Sequence, residues 1–406
     1  MKLLNLFIIS IIIGCFSPKL VNAQWSQIGS ADTSVVSFAV SGTNLFAGTY
    51  GGGVHLSTND GISWTTINAG LTNPNIFAIA VSGTNLFAAS YGGGVFLSTN
   101  NGASWTEANN GLPDHYILAL AVSGTNLLAG TAQDGVFLST NNGTNWNQLN
   151  IGLTCRRIRA FAVRGIYVFV GTADSGAFLS SNQGASWSAA NSGLTNSPVS
   201  CFAVIGTSLF AQTQDGGVFL STNNGTNWTL ANIGLENTYV SDFAVSGTNL
   251  FAATFYNGVY LSTNSGTTWS AVSAGLTDQH VDRIVVKGNN LFAGNYNGGV
   301  WRRPLSEMIS SVVLPNALTR TFKLDQNYPN PFNPSTEISF VLAERGVVQL
   351  EVFNMLGRKI QTLVNQTMDA GQHSARFDAW NLPSGVYTAQ LSANNTRCEM
   401  KMILSK

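Results

Sequence analysis

From Trp25 to Arg303 the chain alternates short apolar runs with clusters of Gly, Ser, Thr and Asn. Between Trp64 and Ser98 the runs are Trp64 to Asn68, Ile76 to Val81, Leu86 to Ser90 and Val95 to Ser98, separated by a loop, by Ser82-Gly83-Thr84-Asn85 and by a glycine-rich turn. Apolar runs this short, bounded by turn formers, predict four β-strands in about 40 residues. The same order then returns. The octapeptide Ser57-Thr58-Asn59-Asp60-Gly61-Ile62-Ser63-Trp64 has counterparts at Ser98 to Trp105, Ser139 to Trp146, Ser180 to Trp187, Ser221 to Trp228 and Ser262 to Trp269, each 41 residues on. Self-similarity at that period predicts stacked supersecondary units, and four strands per unit predict the blade of a β-propeller.

The blade count is seven. The inner strand ends at Val40, Val81, Val122, Val163, Val204, Val245 and Val286, and the turn before the third strand carries Gly53, Gly94, Gly135, Gly176, Gly217, Gly258 and Gly299. Outer-strand tryptophans also number seven, but Trp25 has no blade before it and the blade ending at Val300-Trp301-Arg302-Arg303 has no outer strand after it. The N-terminal strand near Trp25 is therefore expected to complete the seventh blade. Closure of this kind leaves only short outer edges.

The octapeptide has a structural explanation. Gly61 and its equivalents Gly102 and Gly143 supply the positive φ of a tight hairpin, while Ser57, Asn59, Ser98, Asn100, Ser139 and Asn141 can bond turn backbone through their side chains. Trp64, Trp105 and Trp146 would bury large apolar surfaces against neighbouring sheets, about 2 kcal/mol or more each. This pattern resembles the Asp-box of sialidases, sortilin-like propellers and photosystem-assembly factors, with Asn in place of the usual Asp. The resemblance spans residues 24–303 and implies the fold; it carries no activity with it.

Blade geometry separates two faces. The uniform Ser-Gly-Thr-Asn turns and octapeptides share one; the fourth-to-first loops and the turns bearing Tyr50, Tyr91, Phe255, Tyr256 and Tyr296 share the other, where the sequence varies. A constant scaffold with one diversified rim suggests a binding surface, set against free drift of surface loops. Near the channel, aligned inner-strand positions read Val36-Ser37, Phe77-Ala78, Leu118-Ala119, Arg159-Ala160, Ser200-Cys201, Ser241-Asp242 and Asp282-Arg283. Arg159, Asp242, Asp282 and Arg283 are either ion pairs in channel water or the polar floor of a ligand pocket. With Tyr50, Tyr91 and Tyr296 they are the candidate ligand-binding residues, for a glycan, a peptide or a surface protein.

An enzymatic alternative is a glycoside hydrolase, sialidase-like or other. A sialidase-like site needs three arginines around a substrate carboxylate, and only Arg159 and Arg283 qualify by position. A glycosidase needs two facing carboxylates, for which Asp242 and Asp282 are the available pair. No residue is assigned a catalytic role. His55, His115, His280 and His373 lack ligand spacing, so neither a metal nor a cofactor is expected.

Composition narrows the partners. Only 9% of residues are charged and the formal net charge is zero, so no basic face is present to bind nucleic acid. A monomer is expected. Lys2, the apolar run Leu3 to Phe16 and the small-residue site Val21-Asn22-Ala23 read as a signal peptide over residues 1–23, so the mature chain would start at Gln24. Ile12-Ile13-Gly14-Cys15 also fits a lipobox, with Cys15 as a lipidated N-terminus. Cys155, Cys201 and Cys398 would remain, an odd number that excludes full pairing; buried thiols are favoured, although Cys155 and Cys201 lie near one rim.

The 41-residue register is lost over 304–321, which reads as a linker. From 322 to 406, prolines in Asn327-Tyr328-Pro329-Asn330-Pro331-Phe332-Asn333-Pro334 precede alternating runs such as Glu337 to Leu342, Val347 to Phe353 and Val386 to Leu391. A small immunoglobulin-like β-sandwich is expected. Tyr328-Pro329-Asn330-Pro331-Phe332-Asn333-Pro334, Asn354-Met355-Leu356-Gly357-Arg358, Leu382-Pro383-Ser384-Gly385-Val386-Tyr387 and the basic tail are similar to the C-terminal sorting domain of the type IX secretion system of Bacteroidetes. That resemblance implies contact with the secretion machinery and delivery to the medium or the outer-membrane surface. The fold expected is thus all-β, a seven-bladed propeller followed by a sandwich.

Overall fold

The computed structural model describes residues 24–406 apart from 30–33, 114, 195–197, 215–216, 236–238, 312–321, 343–345, 369–370 and 395. The signal peptide, Cys15 and parts of three varied loops lie outside the described residues. The chain divides into two compact units, Met1–Val312 and Val313–Lys406.

The first unit holds seven four-stranded antiparallel sheets. In the first blade the inner strand Val35–Ser41 pairs with Asn44–Thr49, which pairs with Gly53–Ser57, which pairs with Thr65–Thr66. Inner strands stand side by side around a ring that closes where Val281–Lys287 packs on Val35–Ser41. The seventh sheet is Val281–Lys287, Asn290–Asn295, Val300–Pro304 and the N-terminal Ser26–Gly29, with Ser26 opposite Arg302 and Gln27 opposite Trp301.

Blades stack face on face, so the second strand of each is covered on both sides. All seven second strands are buried from their second residue onward, which is why Asn-Leu-Phe-Ala-Gly-Thr is nearly continuously apolar rather than alternating. The spacing between blades is tight. A Cβ added at Gly48 would come within 2.8 Å of Ile76 Cγ2 in the next blade.

Outer strands are shorter than the expected Trp64 to Asn68, only Thr65–Thr66 in the first blade. Asn68 leaves the ladder because its side chain takes over: Oδ1 accepts the Val54 N–H at 2.8 Å and Nδ2 donates to the Gly52 carbonyl at 2.8 Å. Asn109, Asn150, Asn191, Asn232 and Ser273 accept the corresponding N–H in the next five blades. Gly29 holds this place in the seventh blade, where the strand pairing is bulged between Gln27 and Gly29.

The tryptophans bridge blades. The indole N–H of Trp105 donates to the Ile67 carbonyl of the preceding blade at 2.7 Å, and Trp146, Trp187, Trp228, Trp269 and Trp25 repeat the bond. Trp64, at the junction of the seventh and first blades, is half-buried and its Nε1 has no partner among the described residues. The ring therefore has a seam.

Each octapeptide turns on its serine. Ser57 Oγ accepts the Gly61 N–H at 2.8 Å and donates to Asn59 Oδ1 at 3.0 Å, while Asn59 Oδ1 also accepts the Ser63 N–H. Both Asp60 and Gly61 have positive φ, 56° and 80°, so the left-handed segment is one residue longer than glycine alone supplies. Asn59 Nδ2 donates to Ser63 Oγ at 2.9 Å. Asn100, Asn182 and Asn264 repeat that bond to a Ser or Thr hydroxyl.

Beyond the seventh blade the expected linker is partly structured. Leu305–Ser311 form a helix whose Leu305 and Met308 are buried against Trp25 and Trp301. The apolar pair one turn apart gives this segment a face to bury, which loss of the repeat register alone did not reveal. The second unit has a three-stranded sheet, Lys323–Leu324, Ser335–Leu342 and Gly371–Asp378, and a four-stranded sheet built from Gly346–Asn354, Lys359–Met368, Gly385–Ala393 and Thr396–Leu404. Alternating residues of both meet in one core that includes Phe332, Phe340, Leu350, Phe377 and Leu391. Phe332 is anchored by its N–H to the Ile403 carbonyl and by its carbonyl to the Ser405 N–H.

The seam yields a stability prediction. Trp105→Phe leaves the Ile67 carbonyl unpaired, whereas Trp64→Phe removes a donor that has no acceptor. Trp105→Phe is expected to cost at least about 1 kcal/mol more than Trp64→Phe in denaturant melts, because it loses both the indole bond and part of a more fully buried ring. Equal losses would show that the indole bonds contribute nothing. Deleting Gln24 to Ile28 should lower the melting temperature of the propeller, because it removes a paired strand and the buried Trp25.

Candidate functional site

One backbone bond, repeated seven times, builds the varied face. The first residue of each second-to-third turn donates its N–H to a carbonyl in the loop preceding the inner strand: Tyr50 to Ser34, Tyr91 to Asn75, Ala132 to Tyr116, Ala173 to Arg157, Gln214 to Pro198, Phe255 to Tyr239 and Tyr296 to His280. Main chain is fixed while side chains change. The bond also places the fourth-to-first loops and the Tyr-bearing turns on the same face.

Aromatic side chains collect there in two groups. On the first three blades Tyr50, Phe77, Tyr91 and Tyr116 form a chain with centroid separations of 6.2, 5.3 and 4.6 Å. On the sixth and seventh blades Tyr239 meets Phe255 at 4.7 Å, Phe255 meets His280 at 4.9 Å, and His280 stacks on Tyr296 at 5.0 Å. Tyr50, Tyr91 and Tyr296 remain 56%, 42% and 58% exposed despite these contacts.

Each inner strand carries a bulge where the channel residues lie, between Val35 and Ser37 and at the six equivalent places. A bulge turns two successive residues toward one side. Both aligned rings therefore contribute to a channel cavity of about 230 Å³, whose wall includes Arg159, Ser200, Ser241, Cys201, Asp242 and Arg283. A second cavity of about 320 Å³ shares Arg159 and Arg283 and adds Arg157, Tyr239 and Phe255. Arg157 was expected only as a loop residue. Its place becomes clear once the Ala173 bond and the bulge bring it above Arg159; the run Cys155-Arg156-Arg157 was the available signal.

Charge is unevenly satisfied at this mouth. Arg283 donates to the carbonyls of Asp282 at 2.8 Å and Ser241 at 3.3 Å. The guanidinium groups of Arg157 and Arg159 have no hydrogen-bond or ion-pair partner among the described residues. The second cavity's described wall has no acidic side chain.

The two acids part company. Asp242 lines the channel cavity, and its Oδ2 accepts the Ile284 N–H at 3.0 Å. Burial raises its carboxyl above the ordinary range, against the opposing pull of Arg283 and of N–H bonds from Ile284 and Phe243. Asp282 is absent from both cavity walls. It lies 3.3 Å from His280 Nε2 and accepts the Ser34 hydroxyl at 3.4 Å across the seam, its carboxyl likewise raised chiefly by burial. Asp282 thus makes its contacts at the seam, while Asp242 lines the channel. Cys201 beside Asp242 has its thiol pushed well up, first by burial and then by that carboxylate, a state unsuited to nucleophilic attack. Cys155, Cys201 and Cys398 are all free thiols.

The raised carboxyl gives Asp242 a signed pH effect. Its folded form favours the proton, so its contribution to stability is full below the unfolded value of about 4 and is lost as pH rises through the folded value. Asp242→Asn cannot ionise. The stability of the variant relative to wild type should therefore grow as pH rises from about 4 in parallel denaturant melts, and a flat difference would contradict the burial effect.

Comparison with known proteins adds to this geometry. No curated protein matches the chain in sequence. Among solved structures, PorZ, a surface component of the type IX secretion system of Porphyromonas gingivalis, aligns with a TM-score of 0.57 at 14% identity, over 93% of this chain and 60% of PorZ. YCF48 from Cyanidioschyzon merolae aligns with a TM-score of 0.56 at 15% identity over 70% of this chain and 99% of that one. The Niastella koreensis GH74 enzyme aligns at 0.53 and 18% identity, over 68% of this chain and 43% of the enzyme. At these identities the likeness is one of fold. The family described as secretion system C-terminal sorting domain matches residues 326–405. Those residues are such a sorting domain, and the chain is a β-propeller fused to it and exported by the type IX system to the cell surface or the medium.

Proposed function

We propose that the propeller is a binding module that captures its ligand on the varied face, around the channel mouth. The observation that carries this reading is the sevenfold backbone bond between turn and loop, which holds the main chain constant while the side chains on it differ from blade to blade. Exposed tyrosines, and two arginines without a partner among the described residues, gather where that bond places them. Such convergence of aromatic faces and a few polar groups on a concavity suits recognition more than packing. The opposite face, by contrast, spends its polar groups on its own turns.

Two measurements test the reading. Variants at Arg159, Arg283, Tyr50, Tyr91 or Tyr296 should weaken capture of a ligand found by screening the exported protein, with little change in melting temperature. Asn59→Ala or Asn141→Ala should lower stability by about 1 kcal/mol through lost turn bonds and leave affinity unchanged. The reverse pattern would place the binding surface on the other face. Separately, truncation from Leu324 onward should retain a folded propeller in the periplasm, since the first unit has its own core. Surface display of that truncated protein would contradict a sorting role for the second unit.

A further inference from the structure

Resting on that binding reading, we infer that the ligand is an acidic oligosaccharide, with a sugar carboxylate held at the arginine-lined mouth and sugar rings stacked on the flanking tyrosines. Three guanidinium groups, those of Arg157, Arg159 and Arg283, border one cavity of about 320 Å³ whose described wall has no carboxylate. Asp242 and Asp282 oppose the charge of Arg283, but Arg157 and Arg159 stand two residues apart at this half-enclosed mouth with no acidic partner among the described residues, and an anion bound there would relieve their mutual repulsion. Planar guanidinium forks fit a carboxylate's two oxygens, and two of the three have no partner among the described residues to give up.

The aromatic groups extend the site on both sides. Tyr91 and Tyr296 belong to separate ring clusters, one on the first three blades and one on the sixth and seventh, while the arginine pair stands on the fourth. Phenol rings present a flat apolar face for the C–H side of a sugar and a hydroxyl for its polar edge. A peptide held through its main chain would need free backbone donors. At this rim the N–H of the first turn residue is already committed to a loop carbonyl in all seven blades, which leaves main-chain recognition few aligned donors. Side-chain recognition of a flat, hydroxylated and charged polymer remains the chemistry that the surface offers.

The test uses the full mature chain on a panel of uronic-acid oligosaccharides, each beside its neutral methyl ester, with an acidic peptide as comparator. Calorimetry should find at least one acidic oligosaccharide bound about tenfold or more tighter than its ester, weakening as salt rises. Arg159→Met should abolish the preference for acid over ester while keeping ester binding, and Tyr296→Ala should weaken both, each with an unchanged melting temperature. Equal binding of acid and ester, or no binding across the panel, would overturn the carboxylate assignment. Capture of the peptide alone, sensitive to Tyr296→Ala, would overturn the sugar class while leaving the face assignment standing. An oligosaccharide bound with equal affinity by wild type and both variants would overturn the face itself.

Discussion

A four-stranded blade has two apolar faces and can cover neither, so everything in this propeller depends on the bond and contact that each blade makes with the one before it. The tryptophan at the start of each outer strand concentrates that dependence. Its ring fills the gap between blades, its indole N–H reaches back to a carbonyl of the preceding outer strand, and in six junctions this unit recurs with distances of 2.7 or 2.8 Å. Because the carbonyl would otherwise be an unpaired acceptor at a buried edge, the bond is costly to lose. The fully buried second strands follow from the same stacking, and so does the small residue at Gly48 and most of its counterparts, where a Cβ would press on the next blade; Gln212 takes this place in the fifth blade.

The seventh junction departs from this rule and shows what replaces it. Trp64 lacks its acceptor, and Gly29 lacks the side-chain clamp that Asn68 and its counterparts supply. Ionic contacts concentrate here instead: Lys287 pairs with Asp60, Arg302 donates to the Asp60 carbonyl, and Ser34 reaches Asp282. A strand supplied from the far end of the chain has a different sequence context from one within a repeat, so its junction is closed by different chemistry. The helix Leu305–Ser311 packs its apolar side beside Trp25, between the sixth and seventh blades.

Separation of the two faces is what allows one scaffold to carry function. Octapeptide turns are self-satisfied: serine, asparagine and the left-handed residue pair consume their own polar groups locally. On the other face the bond common to all seven blades runs between backbone groups and dictates no side chain, while Asn73 and Asp278 tie individual loops. Aromatic clusters and arginines can then occupy it at small cost to the fold.

Blade number, ring closure, the turn-forming role of Ser57, Asn59 and Gly61, and the sorting domain were all legible in the sequence, because each is written in a local pattern repeated at fixed spacing or in an ordered motif. The division into a uniform and a varied face was legible for the same reason. Other features required the folded molecule. Arg157 joins the mouth only through a bulge and a loop-to-turn bond between residues 16 apart, Ala173 and Arg157, which no periodicity marks. Asp282 aligns with channel residues yet turns toward His280 and Ser34, since its neighbour across the seam comes from the opposite end of the repeat array. The missing acceptor of Trp64 and the helix after the seventh blade are decided likewise by what lies beside them in space. Local patterns set the strands and turns, but the environment of a polar side chain is set by its tertiary neighbours, and here those come from other blades.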